Sequence, residues 1–409
     1  MRDSSNPNSG GIVGMTFSLA SVAGANTSTR NYQFIEPAND DYKIIASKVG
    51  ARIGRAIQGV TMNRPVGGQY DEDGNLWIGQ YSGQFHQLNS SLEVDVTPDI
   101  TWTEPHTSDG TRYCLDINVT TDGSKLILAT SYLRHCVRIY NRISGALIST
   151  IGVPNSRGNL SDNKLYNPHS AIRLPDGNIA VSSYLGDGLN GASLSGSISV
   201  WDVSTTVATL ISTVMEGSSS ASAAIGTNKI YRPMRMIWGA DGNVLIAEYV
   251  SGRVIRVDPA TWQTVEVYNA PSGVDSMATC FGICEMSNGT IVVASNTAKK
   301  IIGIHPENKT LEFEIDPTLY GGTSSSMRGV FELEPGLICW ADYTNQLMYA
   351  ASVGGVEVQY QVPTIPTGWE LDLTTWAAYI DHNTFVATVD ASEIESKIVT
   401  QNALIRKSV

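Results

Sequence analysis

The fold is decided by a pattern that is complete in the stretch Asp73-Gly74-Asn75-Leu76-Trp77-Ile78-Gly79-Gln80-Tyr81. The turn sequence Asp-Gly-Asn stands directly before a run of β-prone residues, and a tyrosine ends that run. Asp-Gly and Asn-Gly between β-prone runs favour tight turns, because glycine and asparagine tolerate the positive φ angle that such turns need. This stretch therefore predicts a turn followed by a β-strand.

The same turn and strand recur along the chain. Later copies begin at Asp122, Asp176, Asp241, Asn288, Pro335 and, in a degenerate form, Asp381. Successive copies, counted from Asp73, are 49, 54, 65, 47, 47 and 46 residues apart. In four copies a tyrosine stands seven residues after the turn glycine, at Tyr81, Tyr184, Tyr249 and Tyr343. A fixed period with mostly strand content is typical of a β-propeller, in which each period forms one four-stranded blade.

We therefore predict an all-β fold, a seven-bladed β-propeller with an N-terminal extension, and six blades as the alternative. A β-sandwich or several small β domains would not require equal periods. Too few residues follow Asp381 for a whole blade, so we expect a strand from residues 42–46 or 52–60 to complete the ring. The predicted division is an extension or arm over residues 1–40 and a propeller over residues 41–409, closed by both termini.

Composition limits the classes of function. The chain has 39 acidic and 27 basic residues and a net charge of −12, which is unfavourable for a protein that neutralises nucleic-acid phosphates. No apolar run is long enough for a membrane span. Five scattered cysteines do not form the pattern of a disulfide framework, so we expect buried, reduced thiols. The sequence thus predicts no direct nucleic-acid binding and no membrane span.

Two parts of the repeat resemble known propeller families. The stretch from Tyr166 to Asn178, with Pro168 before Asp176-Gly177-Asn178, resembles NHL-type repeats. The stretch from Asp73 to Trp77 is similar to the blades of streptogramin lyase-type propellers. The resemblance implies a propeller over about residues 62–400. It also implies that an enzymatic member would place His, Glu, Asp or Asn side chains around the central channel, often with a divalent metal.

Counting back from the glycine of each turn, or from His382 in the last copy, shows whether such side chains are present. Eight residues before it stand Val66, Leu115, His169, Met234, Phe281, Arg328 and Thr374. Six residues before it stand Gly68, Ile117, Ala171, Met236, Ile283, Val330 and Trp376. We interpret both sets as apolar with one histidine, which supplies neither the ligands of zinc nor the oxygens of calcium. We predict no catalytic residues, no metal and no cofactor, and His169 as a structural histidine rather than a ligand or base.

A third set of positions is uniformly polar. Ten residues before each turn residue stand Arg64, Tyr113, Asn167, Arg232, Thr279, Ser326 and Asp372. This polar set is expected at one mouth of the channel. Either it is hydrophilic only because strand ends meet solvent, or Arg64 and Arg232 hold an anionic group that Tyr113 and Asn167 orient. The candidate binding residues are Arg64, Tyr113, Asn167, His169, Arg232 and Asp372.

Two classes of function follow. The first is a non-enzymatic scaffold or recognition module, and the abundance of Ser, Thr, Asn and Gly resembles bacteriophage tail proteins. On this hypothesis the chain is a virion component, such as a tail, nozzle, hub or receptor-binding part, and contacts other protein subunits through residues 1–40. The alternative is a streptogramin lyase-like or lactonase-like enzyme acting at the channel mouth. Cellular binding propellers, including carbohydrate binders, are a further possibility, with a cytoplasmic location.

Overall fold

The computed structural model describes residues 63–88, 114–158, 160–185, 196–218, 225–320 and 326–353. Outside those ranges it describes the backbone of eight short strands, Leu19–Ala20, Thr29–Arg30, Lys43–Ala46, Arg55–Ala56, Ile100–Thr101, Val358–Gln361, Trp369–Glu370 and Arg406–Lys407. Among the described residues, six sheets of a common design follow one another along the chain. Each sheet is one blade, and its strands are arranged side by side, with the first at the inner edge and the last at the outer edge.

The first three blades occupy residues up to the middle of the chain. Blade 1 contains Pro65–Tyr70, Leu76–Gln80, Gln84–Leu88 and Ile100–Thr101. Blade 2 contains Asp116–Val119, Leu126–Ser131, Cys136–Asn141 and Leu147–Ile151. Blade 3 contains Pro168–Arg173, Ile179–Ser183, Ser197–Asp202 and Thr209–Gly217, and a fifth, parallel strand, Lys229–Ile230.

The other three blades complete the ring. Blade 4 contains Pro233–Trp238, Val244–Glu248, Arg253–Val257 and Thr264–Tyr268. Blade 5 contains Cys280–Glu285, Ile291–Ser295, Lys300–Ile304 and Leu311–Ile315. Blade 6 contains Met327–Glu334, Leu337–Asp342 and Leu347–Ser352, and its outer strand is Arg55–Ala56. Two short 3₁₀ helices, Leu160–Asp162 and Pro317–Tyr320, lie between blades.

The repeated turn links the first two strands of a blade. Gly74, Gly177 and Gly242 have φ angles of 80°, 92° and 80°, which confirms the predicted positive φ. The second strands that follow are covered on both faces by neighbouring blades. Every residue of Val244–Glu248 and of Ile291–Ser295 is buried. Burial on both faces explains why these strands read as continuous β-branched and apolar runs.

The ring closes with six blades, so the prediction of seven blades is wrong. Leu76 and Ile78 of blade 1 pack in one cluster with Phe331 of blade 6. The inner strands of these two blades are in contact. A Cβ added at Gly329 would lie only 2.4 Å from the Cα of Gly67. No gap between them can hold another blade. The predicted seventh turn, at Asp381, lies outside the described residues.

The N-terminal part of the chain supplies the last strand of the ring. Arg55 and Ala56 pair with Ala350 and Tyr349 of blade 6 in antiparallel register. Residues 52–60 were one of the two predicted sources of a closing strand, and this strand completes the sixth blade. The other predicted source, residues 42–46, contains the strand Lys43–Ala46, which pairs with Val358–Gln361 in a separate two-stranded sheet. The division of the chain at residue 40 stays a prediction.

Two further pairs lie outside the blades. Leu19–Ala20 pairs with Thr29–Arg30, and Trp369–Glu370 pairs with Arg406–Lys407. All five cysteines are described, and all are buried and outside any disulfide, as expected from their spacing. In the described part of the chain, no helix is long and apolar enough to cross a membrane.

Candidate functional site

Tyrosines surround one end of the channel. In five of the six described blades the residue directly after the second strand is a tyrosine, and these are Tyr81, Tyr132, Tyr184, Tyr249 and Tyr343. In blade 5 the corresponding residue is Asn296. Because all six second strands run in the same direction relative to the channel, one position in the repeat places these side chains at one mouth.

The backbone brings the polar set to the same mouth. Tyr81, Tyr184 and Tyr249 donate their backbone N–H groups to the carbonyls of the residues that precede the inner strands, Arg64, Asn167 and Arg232, at 2.9, 2.9 and 3.0 Å. Those three residues have positive φ angles of 58°, 53° and 51°. Such a conformation is unfavourable for residues other than glycine and is often found at binding and catalytic sites. The repeat thus places two sets of side chains around one opening.

A cavity of about 260 Å³ lies within this opening. We call it the tyrosine cup. It is lined by the five tyrosines named above and by Leu115, Asn167, His169, Met234, Phe281 and Arg328. Among the described residues, its lining includes no Asp or Glu.

Aromatic contacts hold the wall of the tyrosine cup in place. The rings of Tyr184 and Tyr249 meet edge to face with centroids 5.4 Å apart, and Tyr249 meets Phe281 in the same way at 5.4 Å. On the opposite side of the opening, the rings of Tyr81 and Tyr343 also meet edge to face, with centroids 5.2 Å apart. Edge-to-face pairs are favourable because the positive edge of one ring meets the negative face of the other. Burial raises the pKa of Tyr81, so its hydroxyl is protonated at neutral pH.

Arg328 places a positive charge among these rings. The centre of its guanidinium is 3.9 Å from the ring centroid of Phe281 and 4.9 Å from that of Tyr343. Its Nε is buried and has no hydrogen-bond partner among the described residues. No ion pair joins Arg328 to a residue that the structure describes. Burial lowers the pKa of Arg328, and the neighbouring tyrosines oppose that effect.

Two more arginines stand at the rim of the tyrosine cup. Arg64 donates from Nη1 to the hydroxyl of Tyr343 at 3.3 Å, and Arg232 donates from Nη1 to the hydroxyl of Tyr184 at 3.0 Å. Each guanidinium also lies over an aromatic ring, at 5.2 Å from the Tyr343 centroid for Arg64 and 5.3 Å from the Tyr184 centroid for Arg232. In the described part of the chain neither pairs with a carboxylate.

His169 is part of the wall of the tyrosine cup. Its ring stacks on Tyr132 with centroids 5.6 Å apart and an angle of 24° between planes. It is also 5.5 Å from Tyr184 in a tilted contact. Burial, and then the charge of Arg328, lower the pKa of His169 to about 3. The imidazole is therefore neutral at physiological pH.

This low pKa makes stability depend on pH in a predictable direction. Because the folded-state pKa lies below the ordinary value of 6.5, the unfolded chain binds a proton more readily, and stability is lost as pH falls below 6.5. We expect His169→Gln to remove about 1 kcal/mol of the stability difference between pH 6.5 and pH 5. Urea unfolding of both proteins at the two pH values measures this difference. Equal differences in the two proteins would contradict the assigned pKa.

A buried ion pair closes the channel below the tyrosine cup. Arg235 Nη1 lies 2.6 Å from Asp116 Oδ1, and only 4% and 6% of the two side chains are exposed. Ser170 donates from Oγ to Asp116 Oδ2 at 2.6 Å, and Asn118 donates to Ser170 Oγ at 3.0 Å. Burial raises the pKa of Asp116, and Arg235 opposes that effect. We call Asp116 and Arg235 the central ion pair.

A second cavity, of about 370 Å³, lies on the other side of the central ion pair. Its wall includes Arg235, Trp238 and Phe331. Most of the charged side chains that line it are in ion pairs, Arg173 with Asp122 and Glu285 with Arg256 at 2.8 Å. Glu332 also lines it and accepts hydrogen bonds from backbone N–H groups. The tyrosine cup differs from this cavity because its arginines have no carboxylate partner among the described residues.

The predicted site residues are therefore placed as follows. Asn167 and His169 line the tyrosine cup, and Arg64 and Arg232 bond to tyrosines of its wall. Tyr113 and Asp372 lie outside the described residues. In the described part of the chain no group of three or more His, Cys, Asp or Glu could hold a metal ion.

Sequence reasoning missed two features of the site. The tyrosine position was visible as a constant distance from the turn glycine, but it was not connected with the channel. Tyr132 does not stand seven residues after its turn glycine, Gly123. Counted from that glycine, its strand starts one residue later than the strand before Tyr81, and it is one residue longer. Arg328 was counted within a set interpreted as apolar, although it is the charged residue of that set.

No family model matches the chain, and no curated protein does. Solved structures that are similar include a streptogramin B lyase, with 14% identity over 76% of this chain and 88% of that one and a TM-score of 0.47. A catalytically inactive virginiamycin B lyase from Staphylococcus aureus with quinupristin has 11% identity over 78% of this chain and 90% of that one, also at 0.47.

A third similar structure is the WD40 β-propeller domain of Doa1. It has 13% identity over 79% of this chain and 97% of that domain, with a TM-score of 0.47. At these identities the likeness extends to the β-propeller fold alone.

Proposed function

We propose that this chain is a recognition module, not an enzyme, and that its tyrosine cup binds an anionic group of another molecule. One observation carries the proposal. Arg64, Arg232 and Arg328 each lie against aromatic rings of one mouth, without carboxylate partners among the described residues, in a chain whose net charge is −12. In an acidic protein, guanidinium groups usually have acidic neighbours, so an uncompensated group of three at an opening favours an anionic ligand.

The chemistry of the side chains supports binding. A guanidinium presents N–H donors in a planar fork that matches carboxylate and phosphate oxygens. Tyrosine and arginine contribute strongly to recognition, because they combine large contact areas with hydrogen bonds. Arg64 and Arg232 are the residues that we propose to hold the anionic group at the rim, with Asn167 orienting it.

The alternative is a streptogramin lyase-like or lactonase-like enzyme acting at this mouth. His169 would be its general base. A pKa of about 3 makes a histidine a weak base, which favours recognition over proton transfer. Replacing His169 and Arg232 together would abolish the activity of such an enzyme and leave the assembly of a scaffold unchanged.

We also propose that the module works within an assembly of protein subunits, which it contacts through residues 1–40. The composition is the basis for placing it in a virion, for example as a part of a phage tail. Purification from the native source tests this, because a virion component arrives within a particle and a cytoplasmic binding protein arrives free. Loss of association after truncation of residues 1–40 would support the role of the arm.

Binding measurements test the recognition site directly. Isothermal titration calorimetry with acetate, phosphate, sulfate, glucuronate and glucose should show binding of anions by the unmodified protein. Arg64→Gln with Arg232→Gln should weaken that binding about tenfold or more, since charged hydrogen bonds are removed. Arg157→Gln is the matched control, because Arg157 also lies over a tyrosine ring, that of Tyr166, but outside the tyrosine cup. Equal binding by all three proteins would overturn the proposal.

A further inference from the structure

We propose that the ligand of the tyrosine cup is an acidic sugar whose carboxylate is held by Arg328. This inference rests on the proposed function and adds to it the class of ligand and the residue that anchors it. Arg328 was not among the residues that the sequence indicated.

The contacts of Arg328 leave a defined set of donors for a ligand. The guanidinium carbon lies over the ring of Phe281, 3.9 Å from its centroid. A guanidinium in contact with an aromatic ring still has N–H groups at its edge that can donate to a ligand. Nε of Arg328 is buried and has no hydrogen-bond partner among the described residues, and no ion pair joins Arg328 to one of them. The edge is therefore available to two oxygens in one plane, which is the geometry of a carboxylate.

The charge of the tyrosine cup suits one carboxylate. In the part of the chain that the structure describes, its lining holds one guanidinium and no acidic side chain. Burial raises the pKa of Tyr81 and of Tyr132, so these two hydroxyls carry no charge at neutral pH that could neutralise Arg328. A ligand group of charge −1 compensates the guanidinium of Arg328, which is the arginine inside the tyrosine cup, while Arg64 and Arg232 stand at the rim and donate to tyrosine hydroxyls.

The residues that line the tyrosine cup indicate the size and chemistry of the part of the ligand beyond its carboxylate. The cavity of about 260 Å³ is smaller than the 300–1,000 Å³ typical of sites for drug-sized ligands, so it suits a single ring or an end group. Aromatic faces stack on the C–H faces of a sugar, and hydroxyl groups around them can bond to sugar hydroxyls. The Tyr184 hydroxyl accepts from Arg232 and keeps its own hydrogen for a ligand oxygen. Asn167 offers both a donor and an acceptor.

Isothermal titration calorimetry with matched small molecules tests the chemical class of the ligand. The probes are glucuronate, glucose, acetate, benzoate and glucose 6-phosphate, each titrated into the full chain. We expect glucuronate to bind most tightly, because it alone combines the carboxylate with a sugar ring. An oligosaccharide that ends in glucuronate distinguishes a free sugar from the end of a polysaccharide: tighter binding of the oligosaccharide would favour a polysaccharide source. Tighter binding of acetate or benzoate would overturn the assignment of a sugar, and tighter binding of glucose 6-phosphate would overturn that of a carboxylate.

Two variants test the anchor. Arg328→Gln should weaken glucuronate binding about 10- to 100-fold. Arg328→Lys keeps the charge but loses the planar fork, and should show an intermediate loss. Far-ultraviolet circular dichroism and thermal melting show whether each variant is folded, and Arg157→Gln again serves as the control. Unchanged glucuronate affinity in both folded variants would overturn the role of Arg328.

These outcomes separate this inference from the proposed function. If anions bind and the variant with both Arg64→Gln and Arg232→Gln loses them while Arg328→Gln does not, the recognition site stands and the anchor is wrong. If no anion binds and neither set of substitutions changes anything, the proposed function itself fails.

Discussion

Asp116→Ala should lower the free energy of unfolding by about 3–5 kcal/mol. Arg235 lies only 2.6 Å from this carboxylate and is almost completely buried, so the substitution leaves its guanidinium without an opposite charge. Ser170 also loses the acceptor for its hydroxyl. Chemical denaturation monitored by tryptophan fluorescence measures the loss.

A double-mutant cycle separates the ion pair from simple packing. Replacing both partners, as Asp116→Ala with Arg235→Met, removes the two charges together and should restore most of the lost stability. Asp116→Asn keeps the size of the side chain and tests the charge alone. A loss below about 1 kcal/mol in Asp116→Ala would mean that water or another group replaces the carboxylate, and that the central ion pair does not close the channel.

The repeat is the part of the fold that the sequence specifies locally. Each blade begins with an inner strand, a turn of fixed chemistry and a second strand, so the pattern of Asp-Gly followed by β-branched residues can be read without knowing the partners. The second strands show this well, since Val244–Glu248 is buried throughout. The all-β propeller followed from such local signals.

The number of blades is a global property, and local signals predicted it wrongly. Asp381 has the form of a repeat turn, and counting it gave seven. The deciding contact joins Gly67 and Gly329, which are far apart in sequence and carry no side chain to mark them. A ring closes when its first and last inner strands meet. Turn spacing alone contains no information about that meeting.

The site was predicted in part for a similar reason. The polar set was found because it stands at a constant distance from the turn, and Asn167 lines the tyrosine cup while Arg232 bonds to its wall. The importance of Arg328 could not be read in this way, because its position in the repeat holds apolar residues in most blades. Its role depends on Phe281 of the adjacent blade and on the absence of a carboxylate among the described neighbours.

Gly329→Val should destabilise the protein by about 3 kcal/mol or more, because it adds atoms where two inner strands meet. The added Cβ would lie 2.4 Å from the Cα of Gly67 and 2.7 Å from the carbonyl oxygen of Val66. Both neighbours are backbone atoms, which cannot rotate away as a side chain can. Valine otherwise favours strands, so local propensity would predict a gain. Thermal melting and urea unfolding measure the change.

Gly158→Val is the matched control, since the three atoms nearest to a Cβ there belong to the side chain of Lys164, which is flexible and can move. It should melt within a few degrees of the unmodified protein. If Gly329→Val also melted normally, blades 1 and 6 would not be in contact at their inner strands. The ring would then have room for another blade, and the repeat turn at Asp381 would become its natural source. A large loss confined to Gly329→Val instead fixes the closure at six, because only neighbouring inner strands bring these two glycines together.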